Sequence, residues 1–426
     1  MKRIVCLLLG LLPIVTLMAE TLSLSECAML AREHYPAIAQ YELLEKITNY
    51  NLSNASKIWL PQGNINAQAT WQNDVASLPD LLTDMLAQQG VRYPGIEKNQ
   101  YRVGVDVSQQ IWDGGRSSAN RRLIKSAGEL GRRNIDLQLY ELEGRIQDIY
   151  FAILLLDERI ERASKSIAVT DSTLRQVKVM FDNGTAMKSD CEQIEARLLG
   201  MEQQKMQLIS AKESYRRILE IFIGEEIGRR VLELPEENDY TSVAVHPQLN
   251  LFDAHVQNIR EQANVVKSST RPTLGAFLSG YYGYPGYNMF ENMRSHDPQF
   301  NFMAGLRITW SLGALYTRKN SLAQLKTEQE RVETDKRIFL FNNRIAEEEK
   351  DSQISALRSI MENDERIVAL HKSVLNSARA QLRNGIIDAT TLLTKITDEE
   401  LAENELALHR IQLIQAIYNL NHIKNK

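Results

Sequence analysis

Histidines, cysteines and clustered acidic residues are the side chains of this 426-residue sequence that could bind a metal or act in catalysis. The histidines are too widely spread to show the short spacing of metal ligands. They are His34, His246, His255, His296, His371, His409 and His422. Gly114 and Gly115 lack the pattern of a phosphate-binding loop, and the acidic run 347–349 is most simply a solvated helix face. The sequence therefore predicts no enzyme, no metal site and no cofactor.

Composition and charge argue against a nucleic-acid partner. The chain is 43% hydrophobic and 24% charged, which is an ordinary globular balance. Lys plus Arg number 50 against 54 for Asp plus Glu, so the net charge is -4. The chain therefore lacks the excess of positive charge that proteins use to bind a polyphosphate backbone.

The first residues have the pattern of an export signal. Lys2 and Arg3 precede an apolar stretch from Ile4 to Leu17, and the small Ala19 offers a cleavage point. We predict a signal peptide over residues 1–19 and an exported mature chain. Of the three cysteines only Cys27 and Cys191 would then remain, and we expect both to be buried free thiols.

Polar and apolar residues alternate in four segments, at about 61–72, 101–112, 273–284 and 300–311. Strict alternation predicts two-faced strands, and each segment has the ~9–11 residues of a tilted membrane strand. A single strand of this kind would more often belong to a soluble half-buried sheet, but four beside a signal peptide favour membrane strands. On this interpretation Val105 faces lipid and Asp106 faces away from it, so arginine should impair insertion at Val105 and not at Asp106.

Four strands cannot close into a barrel alone. Backbone groups at an open sheet edge have no partner inside a bilayer, and the smallest membrane barrels have ~8 strands. Three copies would supply 4 × 3 = 12 strands, so the strand count predicts a homo-oligomer.

Long helices follow the strands. Asp113, Gly114 and Gly115 form a strand-to-helix turn in which Asp113 or Ser117 could cap the next helix. Nothing breaks a helix from Arg116 to Phe181, which would be ~99 Å long. From Ile135 to Phe181 an apolar residue recurs in alternating steps of four and three, with Thr170 as the one polar exception, which indicates a heptad seam. Asn-Gly pairs at 183–184 and 384–385 predict helical reversals, giving hairpins at about 116–223 and 317–424 with tips at 181–185 and 382–386.

Landmark residues recur at two constant separations, which indicates an internal duplication. Two pairs lie 211 residues apart (247 − 36 and 272 − 61) and two lie 201 apart (305 − 104 and 385 − 184). The pairs are Pro36 with Pro247, Pro61 with Pro272, Gly104 with Gly305, and Gly184 with Gly385. We predict two structural repeats, at 20–235 and 236–426.

The mature chain resembles the TolC family of outer-membrane efflux proteins. The resemblance rests on the order and doubled spacing of several short motifs. They are His34-Tyr35-Pro36, His246-Pro247, Trp112-Asp113-Gly114-Gly115-Arg116, Phe181-Asp182-Asn183-Gly184 and Leu382-Arg383-Asn384-Gly385. It implies a mostly α fold with a membrane β-barrel: a trimeric 12-stranded barrel in the outer membrane continued by a 12-helix periplasmic tunnel.

The resemblance also implies partners and site residues. A periplasmic adaptor would dock on the helical tips and link the channel to an inner-membrane pump of the RND or ABC type. Those tips comprise Asp182, Asn183, Gly184, Thr185, Arg383, Asn384, Gly385 and Ile386. Glycine at the tips serves the turn equally well. An acidic tunnel aperture would fall at Thr391 in the second half, which is not acidic, or at Asp190 in the first, which also suits an ordinary helix start.

Channel function in efflux or secretion, for drugs, toxic compounds or polypeptide, follows from that resemblance. A periplasmic coiled-coil adaptor or structural protein is the alternative, but it leaves the four strands unexplained. A self-contained porin is the other, but it leaves the ~99 Å helices unexplained.

Overall fold

Helices make up most of the protein. The structure is a computed structural model that describes residues 21–184, 187–228, 230–237, 245–384, 386–387 and 389–424. The helices are α1 (Leu24–His34), α2 (Ala39–Ser56), α3 (Asp80–Gln88), α4 (Arg116–Asp182), α5 (Lys188–Ile223), α6 (Pro247–Ser269), α7 (Met289–Arg294), α8 (Gly313–Arg383) and α9 (Ala389–Lys424). The strands are β1 (Thr21–Leu22), β2 (Gln62–Trp71), β3 (Asn99–Trp112), β4 (Val231–Leu232), β5 (Thr273–Tyr284) and β6 (Gln299–Thr309). The segment 1–19, interpreted above as a signal peptide, lies outside the described residues.

The described chain divides into two units. The helical unit contains the residues up to Tyr41, Asn134–Asn250, and those from Lys336 onward. The sheet unit contains Glu42–Arg133 and Leu251–Asp335. Across all described residues, no helix combines the length and the apolar character needed to cross a membrane.

The sheet unit is built on four antiparallel strands in the order β2-β3-β5-β6. Strands β2 and β3 pair without interruption from Gln62 opposite Ser108 to Trp71 opposite Asn99. One irregularity, between Gln110 and Trp112, interrupts the pairing of β3 with β5. Strands β2 and β6 are the two edges of the sheet.

The heptad seam of α4 supplies much of the core of the helical unit. Ile135, Leu139, Ile146 and Ile153 are all at most 4% exposed, as their spacing predicts. A helix that buries every third or fourth residue in this way is stabilised mainly by packing of that stripe against its neighbours. Burial is lower at the last residue of the seam, near the end of α4, where Phe181 is 43% exposed.

A short parallel strand pair joins two distant segments of the helical unit. Strand β1 pairs with β4 through Thr21 opposite Val231 and Leu22 opposite Leu232. The fully buried Tyr150 of α4 donates its hydroxyl hydrogen to the carbonyl oxygens of Leu22 (2.8 Å) and Glu233 (2.5 Å). One phenol thus bridges the backbones on both sides of the pair.

Both cysteines of the described chain are free and buried, so the prediction of two unpaired thiols is confirmed. Cys27 lies in α1, where burial raises the pKa of its thiol to about 12. A thiol with that pKa stays protonated at neutral pH and is therefore a poor nucleophile.

Candidate functional site

One face of the four-stranded sheet is apolar and exposed. Ile65, Val105, Gly280 and Phe302 form one row across it. Within this row Ile65 is 81% exposed and Phe302 is 68% exposed. Other large apolar side chains exposed on the same face are Val103, Leu278, Tyr282, Phe300, Leu306 and Ile308. Soluble monomers rarely expose a continuous apolar surface of this extent, which marks a surface covered by lipid or protein.

The opposite face of the sheet is polar. Asp106 stands near its centre, opposite Asn64 on β2 and Ser279 on β5. Its carboxylate accepts hydrogen bonds from the Asn66 side-chain amide and the Ser279 hydroxyl. The faces assigned from alternation are therefore those of the structure, and Asp106 has more partners than the alternation alone indicated.

The strand-to-helix turn is organised by Asp113, which is only 7% exposed. Its carboxylate accepts hydrogen bonds from the backbone N–H of Gly115 (2.9 Å) and of Ser117 (2.5 Å), and also from the Ser117 hydroxyl. Burial alone would raise the pKa of Asp113, but these hydrogen bonds outweigh it and lower the pKa below its usual value. Of the two candidate caps for α4, Asp113 is the one that accepts these bonds.

Both glycines of this turn have backbone conformations that other residues rarely adopt. Gly114 has φ +68° and Gly115 has φ +87°. A Cβ atom on Gly114 would lie 2.7 Å from Cβ of Arg271, and the Arg271 side chain donates a hydrogen bond to the Gly114 carbonyl oxygen (3.1 Å). The turn therefore packs directly on the backbone that leads into β5.

The first helical reversal follows α4. The N–H of Asn183 donates to the Val179 carbonyl (3.1 Å), and that of Gly184 donates to the Phe181 carbonyl (2.9 Å). Gly184 has φ +75°, as expected for a glycine that ends a helix. Asp182, Asn183 and Gly184 are exposed, whereas Thr185 lies outside the described residues.

Asp190 occupies the first turn of α5. Its carboxylate accepts a hydrogen bond from the Met187 N–H (3.0 Å), and its own N–H donates to the Met187 carbonyl (3.1 Å). These are the contacts of a helix-start residue, which was one of the two interpretations of Asp190 from sequence. The carboxylate is exposed and keeps free lone pairs for another contact.

The second helical reversal joins α8 to α9. The Asn384 N–H donates to the Ala380 carbonyl (3.2 Å), and the Ile386 N–H donates to the Gln381 carbonyl (2.9 Å). Ile386 is 69% exposed. Gly385 and the side chain of Arg383 lie outside what the structure describes. Thr391 is exposed in the first turn of α9 and lines a shallow groove together with Val374 and Lys395.

Comparison with known families identifies residues 28–220 as a match to the outer membrane efflux protein family. The matched segment is 193 of the 426 residues. No curated protein sequence matches the chain significantly.

Solved structures extend the likeness to nearly the whole chain. The outer-membrane channel OprN is 14% identical with a TM-score of 0.67, over 94% of this chain and 89% of that one. The Campylobacter jejuni outer membrane channel CmeC is 13% identical with a TM-score of 0.66, over 94% and 85%. The Vibrio cholerae outer membrane protein VceC is 14% identical with a TM-score of 0.64, over 94% of both chains. The chain therefore has the fold of these outer-membrane channels, and the family match supports a channel role in efflux.

Sequence reasoning missed a histidine cluster in the helical unit. The rings of Tyr140 and His422 stack at 4.1 Å, and His246 meets Tyr140 edge-on at 4.7 Å. Burial, and then the neighbouring His246, lower the pKa of His422 to about 4. The three rings come from distant parts of the chain, so no local spacing could have indicated the cluster.

Sequence reasoning also missed a folded cluster in the two loops of the sheet unit, which were treated as plain connections. Ile96, Tyr284 and Met293 form a small buried core there. The Tyr284 hydroxyl donates to the Asn292 carbonyl (3.0 Å) and accepts from the Glu97 N–H (2.9 Å). These two loops are therefore held by specific contacts. The amphipathic run Asp80–Gln88, which forms α3, was the one available signal for structure in them.

Proposed function

We propose that this protein is the outer-membrane channel of a tripartite efflux or secretion system and works as a homotrimer. Four strands from each copy would form a 12-stranded barrel in the outer membrane, continued by a 12-helix tunnel in the periplasm. The chain would carry small molecules such as drugs and toxic compounds, or exported polypeptide, to the outside. Two structural repeats, at 20–235 and 236–426, would each contribute two strands and one helical hairpin.

One observation carries this proposal: a sheet with an exposed apolar face ends in two edge strands, β2 and β6, each of which is paired on one side only. An apolar face suits lipid, but lipid offers no hydrogen-bond partners to the edges. Pairing of β6 with β2 of the next copy satisfies both edges and closes the ring. The polar face around Asp106 then lines a water-filled interior.

The helical tips are the proposed docking surface for a periplasmic adaptor, which would link the channel to an inner-membrane pump of the RND or ABC type. The exposed apolar side chains of Phe181 (43%), Met187 (71%) and Ile386 (69%) support this assignment, because such side chains are enriched in protein interfaces. For Asp190 the helix-start contacts favour a structural function, and Thr391 supplies no charge for an aperture.

Oligomeric state and membrane insertion test the channel. The chain is extracted from outer membranes in detergent, its mass is measured by native mass spectrometry, and its migration on a denaturing gel is compared before and after boiling. We expect three copies and a heat-dependent shift in migration. A monomer that is stable in water without detergent would contradict the proposal.

Adaptor docking is tested by co-purification after mild cross-linking in cells. Ile386→Lys should reduce recovery of the adaptor with the channel, because lysine is depleted from interface cores. The matched control is Leu401→Lys, at a comparably exposed apolar position (49%) in the body of α9. Equal recovery with both variants would argue against docking at this tip.

A further inference from the structure

Two arginines on the polar face of the sheet lie over aromatic rings of β5. The guanidinium carbon of Arg307 is 4.8 Å from the centre of the Phe277 ring, and that of Arg102 is 5.8 Å from the centre of the Tyr281 ring. Both distances are within the ~6 Å range of cation–π contacts. Arg102 also donates a hydrogen bond to the Gln68 side-chain oxygen (2.8 Å). Each arginine is thus held in place by side chains of the sheet and remains exposed.

Glycine makes room for each aromatic ring. Gly305 lies opposite Phe277 on the paired strand, and a Cβ atom there would be 2.9 Å from the Phe277 ring. Gly104 lies opposite Tyr281, and a Cβ atom there would be 2.9 Å from Cβ of that residue. In both cases the arginine is two residues from the glycine on the same strand, so it shares the polar face. We call each set of glycine, arginine and aromatic ring a clamp.

The clamps lie at opposite ends of the strands. Arg102 pairs with Gly283, beside the loops, whereas Arg307 pairs with Gly275, beside the helices. Eight residues of β5 separate these positions (283 − 275), which is ~27 Å along the strand. In a ring of three copies, each clamp would recur three times at its own level.

Positive charge dominates the polar face. Arg102, Arg307 and Asp106 are the charged residues of β2, β3, β5 and β6, so each copy has two positive charges against one negative. Within the described part of the chain, neither arginine has a carboxylate oxygen within ion-pair distance. The carboxylate of Asp106 is held by Asn66 and Ser279 instead. Strand β2, which would face β6 of the next copy, contributes no charge.

We propose that the two clamps make the barrel interior selective for anions, with small organic carboxylates as the preferred solutes. The inference rests on the proposed trimeric channel. Cationic side chains that line a water-filled passage with low-dielectric walls raise the local concentration of anions. A guanidinium fork can also bind a carboxylate with two parallel hydrogen bonds, and stacking on Tyr281 or Phe277 orients the fork in advance.

Single-channel recording of the purified full-length protein in planar lipid bilayers tests the proposal. Ion selectivity is read from the reversal potential in a KCl gradient, and carboxylate binding from the block of current by benzoate. For R102Q/R307Q we expect the chloride-to-potassium permeability ratio to fall at least about threefold. We expect the benzoate concentration needed for half-block to rise about tenfold. Choline, an organic cation, should block neither protein.

Three controls keep the result interpretable. R102K/R307K retains the charge and should retain the permeability ratio while binding benzoate more weakly, because lysine lacks the planar fork. D106N removes the opposing charge and should not lower the anion preference. The helical part of the channel contributes equally to every variant, so differences between variants report on the strands. Heat-dependent gel migration verifies that each variant is folded.

The outcomes separate this inference from the function on which it rests. Open channels whose selectivity is the same with and without the two arginines would overturn the clamps as a selectivity device and leave the channel itself intact. Trimers of the unaltered protein that pass no current would overturn the channel and the selectivity together. A shift toward potassium in R102Q/R307Q that is absent from R102K/R307K would support the proposal.

Discussion

Arginine at Val105 is the most direct test of which sheet face meets lipid. Val105 is the seventh of the 14 residues of β3 and is 48% exposed on the apolar face. A strand of that length at a tilt of ~45° passes its midpoint close to the bilayer midplane. Arginine on the lipid face costs ~2–4 kcal/mol there, and three copies bring the cost to ~6–12 kcal/mol per trimer. That sum is comparable to the whole stability of many proteins.

The control for this variant is Ser108→Arg. The sequence suggested Asp106 for this comparison, but its carboxylate is bonded to Asn66 and Ser279, so its replacement would also break those contacts. Ser108 is exposed on the same polar face of β3, where arginine would enter water. We expect its effect to stay within about 0.5 kcal/mol.

The assay is the yield of heat-modifiable trimer in isolated outer membranes, at matched expression of each variant. Val105→Arg should strongly reduce the yield, Val105→Leu should preserve it, and Ser108→Arg should resemble the unaltered protein. Equal yields of the two arginine variants would refute the assignment of the faces. A loss confined to Ser108→Arg would mean that the faces are reversed.

Three further predictions concern the helical unit and are read from its thermal unfolding in detergent, followed by circular dichroism. His422 has a pKa of about 4 in the folded protein against an ordinary value of 6.5, so the free energy of unfolding should be full above pH 6.5 and fall by about 3 kcal/mol as the pH drops from 6.5 to 4. His422→Gln should flatten this pH dependence, and an unchanged slope in that variant would contradict the prediction. Gly184→Ala should destabilise the protein by ~1–2 kcal/mol because φ of Gly184 is +75°. Gly200→Ala should stabilise it by ~1 kcal/mol, because Gly200 lies inside α5 with open space around its Cβ position. A loss of stability in the Gly200 variant would indicate that another chain packs there. Tyr150→Phe should cost ~1–3 kcal/mol because the Glu233 carbonyl loses its donor, whereas the Leu22 carbonyl keeps the Glu233 N–H (3.3 Å); a neutral effect would show that water replaces the phenol.

Regular patterns were readable from the sequence because each reports a local geometry. Alternation between Gln62 and Gln72 reflects the two faces of β2, and the four-three spacing along α4 reflects one buried stripe. Glycine at 184 marked the reversal because a left-handed residue is needed there. In these places the physical cause lies within a few residues of its effect.

Contacts between distant segments were not readable. Strands β1 and β4 have two residues each, which is too short to show any period, and Tyr150, which bonds to the backbone on both sides, lies far from both in sequence. The pairing of Arg102 with Tyr281 depends on the register of β3 against β5, which is settled by the whole sheet. The sequence could place these residues on a strand or helix but could not choose their neighbours.

Register also ties membrane insertion to the character of the interior. Side chains alternate between faces, so Arg102 faces inward only if Val103 and Val105 face outward. A slip of one residue would move Arg102 and Asp106 to the lipid face together, and each charge there would cost up to ~2–4 kcal/mol. The apolar exterior therefore disfavours every register slipped by an odd number of residues, because each such slip would turn the arginines of the clamps toward lipid. Val105→Arg and R102Q/R307Q therefore test the same assignment of the two sheet faces. If Val105→Arg inserts normally, the arginines do not face the interior, and R102Q/R307Q should then leave the ion selectivity unchanged.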